Sequence, residues 1–502
     1  MREQRRTRRF AALALAATVV LAACGDDDDS DADDEPATEE STDEPATDDE
    51  PADEPAADDE PAAEPAGDDE EASGDDAVIP VWIAFEDYRL DWTNEVAAAF
   101  NEQVDGYSVE ITGFASYNDA FDAAIQAINS GEPPAVVHFF EAATQEARDA
   151  LAGNGEPVFA DLEAIIDGRT EVAGVPVVLD DVVASAATYY QLDGSYTSMP
   201  WNTSSAIMFL NRTLLDAAGV EGTPATWQEL EAACEAFMAS DAATDSCVTW
   251  PNHSWFVEQD IALQGELLAN NDNGRSGRAD EVFIDSDAMV DYVTWWKGMA
   301  DQGYYTYTGT QRDWGGTYDL FAAQNVPFLL YSSSDTTALT DEGANGGFEV
   351  EAAFLPRNGE ATGGGALIGG ATNWVINGLD ETTQDGAIAW VNFLSNPENA
   401  ASWHQTTGYI PITETAVSNL EAEGYFDENP NQRIASEQLA ASPDTPATTG
   451  ALVGNFVAIR DVITESIESV LVNGDDPAEA MAAAQEDAQA LLDEYNLLFA
   501  DG

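Results

Sequence analysis

Residues 25–76 hold no aromatic residue, no lysine and no arginine, and alanine is their one aliphatic side chain. Such a stretch cannot bury enough surface to offset the entropy of ordering it, so no fold can be built there. The tetrapeptide Asp-Glu-Pro-Ala recurs at 34–37, 43–46, 49–52, 53–56 and 59–62. Like charge and proline stiffness extend a chain of this kind, to a contour limit of about 170 Å at ~3.3 Å per residue. Residues 24–76 therefore read as a disordered acidic tether, a solvated spacer rather than a cation-binding segment. Whatever folds must come from 77–502.

What precedes the tether sets the compartment. Five arginines (Arg2, Arg5, Arg6, Arg8, Arg9) lead into an apolar run at 10–21, and the run closes on Leu21-Ala22-Ala23-Cys24. A basic start, a short apolar stretch and small residues before a cut describe a signal peptide over 1–23. The run is too short to span a bilayer comfortably, and no later stretch approaches the ~20 apolar residues a spanning helix needs. A cysteine directly after Leu-Ala-Ala resembles the bacterial lipobox, whose thiol takes a diacylglycerol before cleavage and whose new amine is then acylated. That resemblance implies a lipoprotein held by Cys24, with its fatty acyl (palmitate) chains, on the outer face of the bacterial cell membrane. The pair Arg8-Arg9 leaves the export route, general or twin-arginine, open.

Without the leader's five arginines and Glu3, eleven basic residues face ninety-five acidic ones. Binding a phosphate backbone needs clustered Lys and Arg, so nucleic acid is excluded as a partner. Each remaining cation becomes correspondingly informative. Beyond Cys24 the only thiols are Cys234 and Cys247, thirteen positions apart. In an oxidising compartment they read as one disulfide tying a helix at 226–239 to a strand near Val248, with two free thiols as the alternative.

The remaining 420 or so residues have room for two lobes. Strands at 78–85, 107–112 and 135–140 alternate with helices at 92–104, 118–129 and 144–151. The second half continues with strands at 206–210, 326–331 and 367–376. Its helices fall at 227–238, 287–302, 384–394, 457–472 and 476–495, the last with Pro477 in its first turn. Alternation of this kind argues for an α/β fold with mainly parallel strands. No catalytic constellation, metal motif or cofactor-binding loop stands out. His138, His253 and His404 are far apart, and there is no His-Glu-x-x-His, Gly-x-Ser-x-Gly, P-loop or Cys-x-x-Cys. The reading is of a binding protein with no cofactor, no metal and no enzymatic activity.

Several strings carry a resemblance. They are SMPWNTSSAIMFLNRTLLDAAG at 198–219, PATWQEL at 224–230, LIGGATNW at 367–374 and PENAASWHQTTGYIPIT at 397–413, with Gly454-Asn455 and Ile459-Arg460 further on. In this order they resemble the extracellular solute-binding proteins of ABC importers, maltose-binding-protein-like, and within them the glycerol-3-phosphate-binding branch. The resemblance implies a two-lobe periplasmic-binding-protein fold that closes by hinge rotation over its ligand. The implied N-lobe takes about 77–204 and 371–415, and the C-lobe about 205–370 and 416–502. It further implies a monomer that delivers a small phosphate ester to permease subunits with a cytoplasmic ATPase.

Site residues follow singly from the same resemblance. Tyr117 matches a ligand-binding tyrosine, and Glu141 a glutamate that accepts from glycerol hydroxyls. Ser204 lies at the first crossover, Ser332 at a strand end, and Gly370 at the second crossover. Tyr409 closes the Thr-Gly-Tyr string, and Arg460 matches the arginine that pairs with phosphate through its planar fork. The branch has two tryptophans spaced by three before a long helix. Here Trp255 matches the second, and Asn252 stands at the first. The loss of that indole favours a ligand bulkier than glycerol-3-phosphate, such as a glycerophosphodiester, and leaves open whether Trp250 swings in. A maltose-type sugar is the rival ligand; a secreted hydrolase or an adhesion protein are rival functions.

Overall fold

A computed structural model describes residues 76–499. The leader, Cys24 and the acidic segment through residue 75 lie outside the described residues.

Thirteen strands are present among the described residues. They are β1 (Ala77–Ile83), β2 (Tyr107–Gly113), β3 (Val136–Phe140), β4 (Glu171–Val172), β5 (Val175–Pro176), β6 (Gln191–Leu192), β7 (Ser195–Tyr196), β8 (Met199–Ser204), β9 (Ala206–Asn211), β10 (Val248–Thr249), β11 (Phe328–Ser332), β12 (Val350–Phe354) and β13 (Gly369–Val375). Two sheets matter for function, one ordered β2-β1-β3-β13-β8 and one ordered β10-β11-β9-β12; β4-β5 and β6-β7 are small hairpins. The fold is α/β with two lobes, one around each sheet.

The expectation of mainly parallel strands is wrong. Only β1/β2, β1/β3 and β10/β11 pair parallel, while β13 runs antiparallel to β3 and β8, and β9 runs antiparallel to β11 and β12. The cause is topological. The chain leaves the first sheet along β8, enters the second along β9, and returns along β13. A leaving strand and a returning strand cross the same boundary in opposite directions, so they meet antiparallel.

Local chemistry explains the helices that link β1, β2 and β3. Asp87 accepts from the Arg89 amide to start Tyr88–Gln103, and Ser116 accepts from Asp119 to start Tyr117–Ser130. Gly131, at φ 80°, ends the latter in the left-handed conformation that glycine adopts without cost. β3 is buried along its whole length, as expected of an interior strand covered on both faces. In the first lobe Trp201, Trp403 and Tyr409 stack in sequence at 5.1 and 5.5 Å between centroids. In the second, Trp250 is enclosed by Trp295, Trp296 and Tyr305. The helix Trp227–Met238 carries Cys234, whose sulfur lies 2.11 Å from that of Cys247 just before β10, with both residues fully buried.

The crossover backbones approach closely. Gly370 sits at φ +110°, and a Cβ there would fall 1.8 Å from the Asn202 carbonyl oxygen. A Cβ on Gly369 would meet the Trp255 ring at 2.4 Å. Neither position admits another residue without displacing its neighbour.

Candidate ligand cleft

The residues singled out above fall at strand ends and first helical turns beside the crossovers, where open α/β sheets hold ligands. Glu141 opens the short turn after β3, Ser204 ends β8 and Ser332 ends β11. Tyr117 begins its helix, and Trp255 lies in the first turn of Ser254–Gln264. Tyr409 follows Gly408, which ends the helix Pro397–Thr407, and Arg460 lies in the second turn of Phe456–Glu468. Ser204 pairs with Gly369 across β8 and β13, and Gly369 in turn packs on Trp255. Tyr117 and Tyr409 both contact Phe85.

Arg460 is the electrostatic centre. It is almost wholly buried, and its Nε and Nη2 donate to Glu258 at 2.6 and 2.7 Å. Nη2 also donates to Glu141 Oε1 at 2.6 Å. Burial opposes the guanidinium charge, but the two carboxylates outweigh it and hold its pKa above the ordinary value. Burial raises the Glu258 pKa, against the pull of Arg460. With both carboxylates ionised, the triad carries a formal charge of −1. Among the described residues nothing accepts from Nη1 of Arg460 and nothing donates to Oε2 of Glu141. Glu258 thus grips the Nε–Nη2 edge of the guanidinium and Glu141 takes the second Nη2 proton, which leaves the two N–H groups of Nη1 as donors and one Glu141 oxygen as an acceptor.

A second device positions Tyr117. The Ala84 amide donates to His138 Nδ1 at 3.2 Å, which puts the ring proton on Nε2 and directs it to Asn202 Oδ1 at 2.6 Å. Asn202 then donates to the Tyr117 hydroxyl oxygen at 2.6 Å, leaving the phenol proton to be donated onward. Burial holds His138 neutral, with its pKa lowered to about 3, so the relay does not titrate in the neutral range. Burial also raises the Tyr117 pKa well above its usual value.

Sequence reasoning missed Glu258, His138, Asn202 and Trp314. Glu258 did leave a signal: it lies within SWFVEQDIALQ, buried at every position from 254 to 263, and a charge in such a helix needs a partner. Trp250 does not swing toward the cleft; it is fully buried in the second core. Asn252 is fully buried as well, donating to the Thr464 carbonyl at 3.0 Å. The indole beside Trp255 comes instead from Trp314, 6.2 Å between centroids, at the start of the helix Trp314–Ala322.

A family model of bacterial extracellular solute-binding proteins matches residues 95–431. The chain belongs to that family. It is the extracytoplasmic solute-binding component of an ABC importer, a class that works with permease and ATPase subunits. Among the described residues no helix is long and apolar enough to cross a membrane. The sn-glycerol-3-phosphate-binding periplasmic protein UgpB of Salmonella typhimurium is 29% identical over 427 residues, covering 82% of this chain and 92% of that one. Among solved structures, UgpB of Mycobacterium tuberculosis in complex with glycerophosphocholine aligns with TM-score 0.66 and 19% identity, over 84% of this chain and 99% of that one. Maltose-bound MalE3 of T. maritima aligns with TM-score 0.67 and 16% identity, over 83% of this chain and all of that one. These solved structures share the two-lobe fold.

Proposed function

We propose that this solute-binding protein is a lipoprotein anchored through Cys24, and that it captures a glycerophosphodiester between its lobes for import. The observation that carries the ligand is the Arg460 fork, clamped by Glu258 with Nη1 free to donate. A phosphate oxygen on Nη1 and a glycerol hydroxyl on Glu141 Oε2 would use both unfilled positions. The triad's charge of −1 selects among phosphate esters. A monoester dianion brings the buried site to −3, whereas a diester monoanion brings it to −2 and a diester with a cationic head group to −1. Likeness to the Salmonella glycerol-3-phosphate-binding protein and to the glycerophosphocholine complex supports a glycerol phosphate ligand.

A maltose-type sugar is the second reading. Two buried carboxylates on Arg460, and the rings of Tyr117, Tyr409, Trp255 and Trp314 near the crossovers, favour it, because carboxylates and aromatic faces suit sugar hydroxyls and CH groups. Calorimetric titration of glycerol-3-phosphate, glycerophosphocholine and maltose separates the two. The diester should bind 1:1 and tighter than the others. Tight binding of maltose with no heat from either phosphate ester would overturn the proposal in favour of the sugar.

A further inference from the structure

A second pocket, of about 560 Å³, opens between the lobes at a place the cleft residues do not line. The first lobe contributes Arg148, Gln191 and Asp193 to its wall, and the second contributes Arg275, Ser276 and Arg278. Three of the eleven basic residues that follow the leader meet here, in a chain of net charge −80. Arg278 pairs with Asp149 through two bonds of 2.7 Å, and Arg148 pairs with the exposed Asp193 at 2.7 Å. Arg275 has no carboxylate partner. Among the described residues its guanidinium donates only to the carbonyls of Gly450, Tyr189 and Thr449, with its Cζ 4.5 Å from the centroid of the Tyr189 ring. In the pocket's own lining three cations face two carboxylates, while Asp272 and Asp444 line an adjoining pocket that shares Arg275 and Ser276. Burial pulls the Arg275 pKa down to about 10, as for a cation short of a counter-ion.

Unused donors point the same way. Among the described residues nothing accepts from Nε or Nη1 of Arg148, from the Ser276 hydroxyl or from the Gln191 amide. The backbone that presents the arginines is strained. Asn271, Asp272 and Asn273 sit at φ 53°, 54° and 60°, and Gly274 follows at φ +77°, so four successive residues are left-handed. L-residues adopt that conformation singly rather than in runs. Here buried Asn273 over-determines it, accepting from the Leu268 and Ala269 amides and donating to the Pro446 carbonyl. Strain held in place this way marks a segment whose side chains must point in a fixed direction.

We propose that this pocket is an oxyanion site, distinct from the ligand cleft, which takes a phosphate-class anion between Arg148, Arg275 and Ser276. Since one wall belongs to each lobe, the anion binds the closed arrangement selectively and shifts the population toward it. The proposal does not depend on the identity of the cleft ligand.

The test titrates the full-length chain in detergent with inorganic phosphate at low ionic strength, using chloride at matched ionic strength as the control. Phosphate should bind 1:1, and amide exchange at 145–149 and 274–278 should slow together. Arg275→Gln could unfold the loop whose carbonyls it holds. Arg148→Gln, partnered only by exposed Asp193, is therefore the decisive variant, with Ser276→Ala beside it. Loss of one charge-assisted bond predicts a roughly tenfold to hundredfold weaker phosphate affinity for Arg148→Gln. Arg169→Gln, an arginine that pairs with Asp385 away from both the pocket and the cleft, should leave phosphate affinity unchanged. Unchanged affinity in Arg148→Gln, an equal loss in Arg169→Gln, or an equal response to chloride overturns the site. Binding that slows exchange in one wall alone overturns the coupling to closure.

Discussion

Replacing Arg460 by alanine probes the triad as electrostatics rather than as contact. Two carboxylates, 7% and 5% exposed, would be left facing each other with no cation between them. Breaking a buried pair by removing one partner costs ~3–5 kcal/mol, out of a total stability of ~5–15 kcal/mol for a typical domain. The variant can relieve that cost by taking up a proton, which raises a carboxylate pKa above its ordinary ~4.3. Over the window between that value and the raised one, the folded variant holds a proton that the unfolded chain has released. Its stability then falls as pH rises, by up to ~1.4 kcal/mol per pH unit. Urea unfolding of wild type and Arg460→Ala at pH 5 and pH 8 measures this directly. The deficit should be about 3–5 kcal/mol at pH 8 and clearly smaller at pH 5. Arg460→Lys, which keeps the charge and loses the fork, should fall between. A deficit below about 1 kcal/mol at both pH values, the range of an exposed pair, would refute the buried triad and the charge argument for a diester built on it.

Three further outcomes are expected. Cys24→Ala should move the protein from the membrane fraction to the medium, as read by fractionation and immunoblot; unchanged retention would exclude the lipid anchor. Cys234→Ser with Cys247→Ser should lower stability by ~3 kcal/mol, the value for a loop of about fifteen residues, in urea melts; an unchanged midpoint would show that the link contributes nothing. Burial depresses the pKa of His138 to about 3 and of His404 to about 4, so the stability each contributes is present above the unfolded value of ~6.5 and lost as pH falls toward the folded one. His404→Gln should therefore flatten acid unfolding between pH 6.5 and pH 4, and an unaltered acid profile would contradict the assignment.

The sequence was most legible where short-range chemistry decides. Helix starts such as those at Ser116 and Thr226 carry their own caps, and the helix Trp227–Met238 has the bounds its spacing predicts. Strand direction was not legible, because β8 and β13 take theirs from a crossover that no local pattern encodes. Within the site, resemblance pointed to Arg460 and Glu141, but nothing near either residue reveals that they meet. Arg460 lies 202 positions from Glu258 and 319 from Glu141, and folding alone brings them together. His138 could be seen as a polar residue in an apolar strand, yet its role needs Asn202 and Tyr117, which belong to two other elements.

Glu141 holds Arg460 Nη2 through Oε1, and among the described residues neither Nη1 nor the second carboxylate oxygen has a partner. If a phosphate settles on Nη1 as proposed, it comes up against a carboxylate that is already in place. A solute that offers charge alone would set two anions against each other with nothing between them. A solute that also offers a hydroxyl would put a proton between the two. On that reading the cleft discriminates against bare anions, however abundant, and favours molecules that present an acid and an alcohol a few bonds apart.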